Sequence, residues 1–224
     1  MGKEKKSLEI TIPSSLDDIT LGSYLKFVAS TTGDAVLSEE SQVELMLTLF
    51  CNIQLHHLKL LENKQVNHIV SKLLPVVQQI NSNDSKLIRR FKIDGVEYGM
   101  IPNLDTISYG ENKDISSFMG NHSTIASAMG VLFRPICSTS GDTYEIEKYD
   151  ASDKYSEVMK KMPLSVFLGA QVFFWTLTRE LLHHIPKYLQ KKMGSEQYKE
   201  LMQKVSTNQT GDPMMKFSAL LKGI

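Results

Sequence analysis

Apolar residues recur at helical spacing through the first third of the chain. Residues 38–63 combine this period with a capping residue, Ser38, and with Glu39 and Glu40 at the positive end of the helix dipole. Residues 64–80 repeat the period, and Pro75 should kink this second helix or end its first part. The pattern therefore predicts two long amphipathic helices. The apolar face of the first helix carries Val43, Met46, Leu47, Phe50, Ile53 and Leu61.

Shorter stretches follow the two-residue period of β-strands. Residues 89–102 contain two strand-like arms around Asp94-Gly95, a dipeptide that favours a tight two-residue hairpin turn. Residues 138–150 predict a turn and then one alternating strand. Its apolar positions are Tyr144, Ile146 and the ring of Tyr149, and its acidic positions on the face opposite Tyr144 and Ile146 are Glu145 and Glu147.

Three further helices are predicted over residues 121–184. Residues 121–136 are expected to be helical up to Arg134-Pro135, because the residue before a proline avoids helical backbone angles. Residues 153–162 form an amphipathic pattern that stops at Pro163. Residues 163–177 form the longest apolar stretch and predict a helix that runs to about His184. Because this stretch is shorter than the ~20 residues that span a bilayer, we expect a buried core helix.

These elements predict an α+β fold that is mostly helical with short antiparallel strands and hairpins. Residues 1–85 form an N-terminal helical segment with an edge strand. Residues 86–224 form an α+β segment with the buried apolar helix and a basic helical tail. Residues 81–85, Asn-Ser-Asn-Asp-Ser, are the clearest linker. We expect the two segments to form one compact unit.

A short motif occurs twice in the chain. Residues 16–22 and residues 104–110 both read Leu-Asp-x-Ile-Ser/Thr-x-Gly. In each copy a strand-like arm ends at Ile-Pro, turns, and enters a helix. A duplicated unit explains the pattern, and so does the reuse of favourable turn chemistry.

Each copy of the motif carries its own helix-start signal. Thr20 and Ser108 are the expected N-cap residues, and Ser108 forms a capping-box pattern with Glu111. Asp17 and Asp105 are expected to accept hydrogen bonds from amides within the turns.

Charge is balanced over the whole chain but not along it. With 25 Lys/Arg and 25 Asp/Glu the net charge is zero, so no overall field attracts nucleic acid or an anionic membrane. Residues 92–153 contain 4 basic against 10 acidic residues, whereas residues 154–224 contain 11 against 5. The asymmetry predicts that the two segments meet, within one chain or between neighbouring copies. Separately solvated faces are the alternative.

We expect the acidic strand region of one copy to meet the basic tail of the next. Each exposed ion pair contributes only ~0–1 kcal/mol and is screened by salt, so association should be weak and should fall as ionic strength rises. The candidate interface residues are Glu145, Glu147, Asp150 and Asp153 on one side, and Lys187, Lys191 and Lys192 on the other.

No catalytic or cofactor-binding pattern is present in the sequence. Phosphate-binding, dinucleotide-binding and nucleophile-elbow glycine motifs do not occur. The histidine pairs at 56–57 and 183–184 do not fit a zinc site, because adjacent helical residues point about 100° apart. Cys51 and Cys137 are expected to be free thiols. The sequence predicts no catalytic residue, no cofactor and no metal, and hence a non-enzymatic protein.

Five segments, spread in order over residues 8–182, carry a resemblance to one protein family. They read TIPSSLDDITLGSYLKF, DGVEYGMIPNLDTISYGE, GVLFRPI, YEIEKYD and MPLSVFLGAQVFFWTLTRELL. Together they resemble a family of small proteins encoded by tailed bacteriophages of the crAss-like type. One position departs from that pattern: an aromatic or aliphatic residue is expected after Gly110-Glu111, where this chain has Asn112-Lys113.

The resemblance implies a role in the virion or its assembly, near the head–tail or tail region. The leading interpretation is a virion structural component, assembled in the host bacterial cytoplasm, whose partners are other phage structural proteins and copies of itself. No membrane contact and no specific nucleic-acid binding are expected. A tail-assembly chaperone that leaves the particle is the alternative. An enzyme with an unrecognised site, such as a wall hydrolase, is the second alternative.

Overall fold

Helices dominate the part of the chain that the computed structural model describes, which comprises residues 10–32, 37–82, 84–119, 121–151 and 153–177. The helices are α1 (Leu21–Thr31), α2 (Glu39–Phe50), α3 (Leu55–Leu58), α4 (Asn63–Gln78), α5 (Tyr109–Phe118), α6 (Ile125–Leu132), α7 (Ser156–Met159) and α8, described over residues 164–177. The strands are β1 (Arg90–Ile93), β2 (Val96–Met100), β3 (Phe133–Ser140) and β4 (Thr143–Ile146). The predicted α+β class is confirmed.

The four strands form one antiparallel sheet in the order β1-β2-β3-β4. The turn between β1 and β2 is Asp94-Gly95, with φ of 49° and 82°. Two consecutive positive φ angles are those of a type I′ turn, whose twist matches that of the flanking strands. The predicted hairpin is therefore confirmed. The turn between β3 and β4 places Gly141 at a φ of 58°.

The predicted helix over residues 121–136 is wrong at its end. Helix α6 stops at Leu132, and β3 begins at once with Phe133. Pro135 is tolerated inside this strand because it adjoins a β-bulge between Ile136 and Ser138. β3 pairs with β2 only through its first three residues. Beyond the bulge, residues 137–143 are all exposed, and we call them the hairpin arm.

The predicted single helix over residues 38–63 is also wrong. Helix α2, capped by Ser38 as expected, ends at Phe50. Asn52 then takes a left-handed conformation with a φ of 52°, which asparagine tolerates better than most residues. The break turns Ile53 into the core, where it is 4% exposed, and the short helix α3 follows.

Two smaller predictions also need correction. Pro75 does not end the first part of its helix, because α4 continues through it to Gln78; the predicted alternative, a kink at Pro75, stays a prediction. Within residues 153–162, only Ser156–Met159 are helical.

Buried apolar side chains from both halves of the chain belong to one cluster. Leu21 and Leu47 contribute from the first half, and Phe133 contributes from the sheet. Helix α8 contributes Phe167 and Phe174, which are 2% and 1% exposed, as expected for a core helix. Among the described helices, none is both long enough and apolar enough to cross a membrane.

Both cysteines are free thiols in very different surroundings. Cys51 is buried at the end of α2, and burial raises its pKa to about 11. Cys137 is exposed at the base of the hairpin arm.

The two adjacent aromatic residues of α8 should respond differently to truncation. Phe174→Ala should lower the free energy of unfolding by ~3–5 kcal/mol, because it leaves a cavity in the core. Trp175→Ala is the matched control and should cost less, because Trp175 is only half-buried. Urea denaturation followed by circular dichroism measures both. Equal losses would contradict this assignment of the core face.

Candidate functional site

The two copies of the repeated motif adopt the same local structure. Leu16–Asp18 and Leu104–Thr106 each form a turn of 3-10 helix that leads into an α-helix. The Thr20 side chain accepts a hydrogen bond from an N–H in the first turn of α1. The Ser108 side chain accepts one from the Glu111 N–H in α5. Both predicted N-caps are confirmed.

The hydrogen-bond acceptors within these turns differ from the prediction. Asp18, rather than Asp17, accepts hydrogen bonds from two amides at the start of the first turn. In the second turn the acceptor is Asn103, whose side chain binds the Asp105 N–H at 2.9 Å. Asp17 instead accepts a hydrogen bond from the Ser165 hydroxyl of α8. The first turn is therefore tied to the core helix.

The turn that joins α7 to α8, residues 160–164, packs on the first turn of the motif. Its backbone forms an antiparallel bridge between Thr20 and Pro163. The Lys160 carbonyl oxygen lies 2.9 Å from the point that a Cβ on Gly22 would occupy, so a larger residue would push the segment away. The hydrogen bonds run from Leu21 N–H to Met162 C=O (2.8 Å), from Gly22 N–H to Lys160 C=O (2.7 Å) and from Leu164 N–H to Ile19 C=O (2.8 Å).

A buried ion pair joins the second turn to the sheet. Arg134 Nη2 of β3 lies 2.6 Å from Glu111 Oε1 of α5, and the two side chains are 7% and 9% exposed. The other carboxylate oxygen of Glu111 accepts a hydrogen bond from the Ser108 N–H at 2.8 Å, which completes the capping box. The sequence indicated the capping box but not its ionic partner.

The Glu111 carboxyl is ionised at neutral pH. Burial alone would raise its pKa, because burial disfavours the charged form. Hydrogen bonds with Ser108 and the ion pair with Arg134 outweigh burial and lower the pKa of Glu111 below its ordinary value. The folded state therefore favours the charged carboxylate.

Tyr149 contacts both Arg134 of the ion pair and helix α5. The Arg134 guanidinium lies over the Tyr149 ring, 5.8 Å from its centroid. The Tyr149 hydroxyl donates a hydrogen bond to Asp114 of α5. Burial and this bond raise the pKa of Tyr149 to about 12, so the hydroxyl stays protonated at neutral pH. The ring also lies 3.0 Å from the point that a Cβ on Gly110 would occupy.

Three buried polar atoms in this region have no hydrogen-bond partner among the described residues. They are Asn112 Oδ1, Arg134 Nε and Arg134 Nη1. Asn112 is the first residue of the Asn112-Lys113 pair at which the sequence departs from the pattern of the family that it resembles. A buried amide oxygen without a partner costs free energy that an aliphatic residue would not.

Two of the four predicted acidic interface residues share one lysine. Lys154 Nζ lies 2.5 Å from Glu147 and 3.1 Å from Asp150. Tyr155 also donates a hydrogen bond to Glu147. The bond from Lys154, followed by that from Tyr155, lowers the pKa of Glu147. Sequence reasoning overlooked Lys154, because the i,i+4 pairing rule applies to helices and neither Asp150 nor Lys154 is helical.

The other two acidic residues lie apart from this pair. Glu145 accepts a hydrogen bond from Ser138 at 3.0 Å across the β3–β4 hairpin. Asp153 accepts one from the buried Ser127 of α6, also at 3.0 Å. All four acidic side chains thus have a partner within their own chain.

The basic half of the candidate interface falls outside the described residues. This applies to Lys187, Lys191 and Lys192. The pairing between acidic and basic surfaces of neighbouring copies therefore stays a prediction.

A cleft of about 400 Å³ lies between α1, α8 and the turn after α4. Its size falls within the range of small-molecule sites, and most of its lining is apolar. The Trp175 ring forms part of the wall. The lining residues are Tyr24, Ile80, Asn81, Ser82, Leu168, Gln171, Val172 and Trp175.

The described residues contain no group of three or more His, Cys, Asp or Glu that could hold a metal ion. Comparison with protein-family models, curated proteins and solved structures finds no match for this chain.

The Glu111–Arg134 ion pair should stabilise the fold at neutral pH and lose this effect in acid. The pKa of Glu111 is lower in the folded state than in the unfolded chain. The Glu111 carboxylate therefore contributes fully to the free energy of unfolding above its unfolded pKa of about 4.3, and this contribution is lost as pH falls through the folded pKa. Glu111→Gln keeps the capping-box geometry but leaves Arg134 without a counter-charge, so it should cost ~3–5 kcal/mol at neutral pH. Urea denaturation across this pH range should show the difference between wild type and variant shrinking in acid. A constant difference would contradict the assignment.

At Asn112, a substitution should stabilise the fold rather than destabilise it. Asn112→Leu should raise the free energy of unfolding by ~1 kcal/mol, because it removes a buried oxygen that lacks a partner. Lys113→Leu, at the exposed neighbouring position, is the control and should change stability little. Thermal unfolding of both variants provides the measurement. A destabilised Asn112→Leu variant would mean that the amide has a partner in solution.

Proposed function

We propose that this chain is a structural component of the virion of a tailed bacteriophage of the crAss-like type. It acts without catalysis, through protein–protein contacts in the head–tail or tail region. Its partners are other phage structural proteins and copies of itself. The resemblance that runs in order over residues 8–182 supports this assignment.

The structural observation that carries the proposal is the hairpin arm. Residues 137–143, Cys-Ser-Thr-Ser-Gly-Asp-Thr, are exposed and extend past the part of β3 that pairs with β2. Two strands with little apolar packing contribute little stability of their own. Exposed strand edges are templates for pairing with another chain, and small polar side chains let a second backbone approach closely. These properties support a contact element.

Mass spectrometry of purified particles tests the proposal. A virion component should give peptides of this chain in a fixed ratio to the major structural proteins. Presence in infected cells together with absence from particles would contradict the proposal and favour the tail-assembly chaperone.

The arm gives a finer test of the same function. Ser140→Arg adds bulk and charge at an exposed position, so it should reduce incorporation into particles while changing stability by no more than ~0.5 kcal/mol. Lys72→Ala on exposed α4 is the control and should be incorporated normally. Normal incorporation of Ser140→Arg would remove the arm from the proposed contact.

A further inference from the structure

Helix α8 is apolar on almost every side. Between residues 164 and 177, the polar side chains are those of Ser165, Gln171 and Thr176. One face of the helix, which includes Phe167 and Phe174, is buried in the core. A helix that is apolar all round is characteristically buried all round. The remaining apolar surface of α8 therefore needs a cover of its own.

A second face of α8 forms one wall of the 400 Å³ cleft. Leu168, Val172 and Trp175 lie along this wall at helical spacing, with Gln171 between them. The opposite wall is formed by Tyr24 of α1 and by residues 80–82. None of the described residues that line the cleft is charged. Such a groove fits the apolar face of an amphipathic helix.

The chain leaves the described structure beside this groove. Leu177, the last residue described, lies two positions beyond Trp175 of the cleft wall. Every segment after Leu177 is therefore attached near the rim of the cleft, which raises its effective concentration there. Residues 178–212, if extended, would span roughly 100 Å, several times the length of α8. Residues after 212 can thus reach the cleft of their own chain.

Residues 213–224 carry an apolar pattern that fits the groove. Four apolar side chains have the spacing i, i+3, i+4 and i+7, and these are Phe217, Leu220, Leu221 and Ile224. The four residues of α8 that line the cleft have the same spacing. At this spacing, Lys216 and Lys222 fall outside the apolar stripe. The stripe can therefore enter an uncharged cleft while both lysines stay in water.

Residues 198–205 repeat this spacing with a more polar composition. Their apolar positions are Tyr198, Leu201, Met202 and Val205. Three charged residues lie among these positions, whereas only Lys222 lies among those of residues 217–224. A charge carried towards an uncharged cleft loses hydration that the cleft does not replace. Residues 213–224 are therefore the better match.

We propose that residues 213–224 pack as a helix in the cleft of their own chain, with their apolar stripe against α8. The contact covers the second apolar face of α8. It also fixes both ends of residues 178–212, and so keeps the basic residues Lys187, Lys191 and Lys192 close to the body of the chain. The proposal does not depend on the function proposed above.

Trp175 is the single tryptophan of the chain, so its fluorescence reports on the cleft without labelling. In the full-length protein, a covered ring should emit at short wavelength and be quenched little by acrylamide. Phe217→Asp places a charge in the apolar stripe, so it should shift the emission to longer wavelength and increase quenching. Leu201→Asp is the matched control in the competing segment and should leave both properties at their wild-type values.

A peptide added to the full-length Phe217→Asp protein tests the contact directly. The peptide has the sequence of residues 213–224, Pro-Met-Met-Lys-Phe-Ser-Ala-Leu-Leu-Lys-Gly-Ile, and should restore the wild-type emission. The same peptide with Leu221→Ala buries less apolar area and should bind roughly tenfold more weakly. Gln171→Lys, added to the Phe217→Asp protein, brings a charge into the cleft and should also weaken binding roughly tenfold.

Wild-type emission in Phe217→Asp would overturn the proposal. A shift in Leu201→Asp alone would overturn it in favour of residues 198–205. Emission of the wild-type protein that moves to longer wavelength on dilution would also overturn it, because the segment would then come from a second copy. If Phe217→Asp fails to fold, Leu221→Ala in the full-length chain gives the same comparison. All these measurements use the isolated chain, so their failure leaves the virion assignment untouched, and absence from particles leaves the cleft contact untouched.

Discussion

The backbone bridge between the first turn and residues 160–164 is the interaction on which the rest of the arrangement depends. It joins parts of the chain that lie about 140 residues apart and fixes where α8 begins. Three hydrogen bonds contribute only ~0.5–1.5 kcal/mol each, which does not offset the entropy of ordering both segments. Leu21, Met162 and Leu164 are each 0% exposed, and burying such side chains contributes ~1.5–3 kcal/mol apiece. Burial therefore stabilises the bridge, and the hydrogen bonds set its register.

A different kind of interaction fixes the second turn in place. There the start of α5 is tied to the sheet by a buried charge pair rather than by main-chain pairing. Such pairs stabilise little in net terms, since the loss of hydration opposes their attraction, but they penalise any arrangement that separates them. The Glu111–Arg134 pair and the Tyr149 ring together orient α5. The same seven-residue motif thus begins two helices that are fixed in place by different interactions.

The features that the sequence predicted correctly are those decided by local chemistry. Thr20, Ser38 and Ser108 cap helices because a short side-chain oxygen reaches the nearby amides, and Asp94-Gly95 turns because both residues tolerate positive φ. The start of β3 was missed because residues 131–136 are mostly apolar, and a short run of this kind suits a helix or a strand equally. Arg134 within that run signalled a buried partner, since a buried charge needs one, but spacing could not identify Glu111. The contact between residues 160–164 and the first turn could not be predicted from the sequence. Its hydrogen bonds join main-chain groups, and these do not depend on the pattern of side chains.

The contrast between the two thiols has a practical consequence. Thiol-directed reagents act on the thiolate, and burial both shields Cys51 and keeps it protonated. Cys137 lies in the open at the base of the hairpin arm. The unaltered protein therefore carries one natural attachment point for a maleimide dye or a gold cluster, next to the element that we assign to subunit contact. A gold label there would mark the position and orientation of each copy in images of the intact particle.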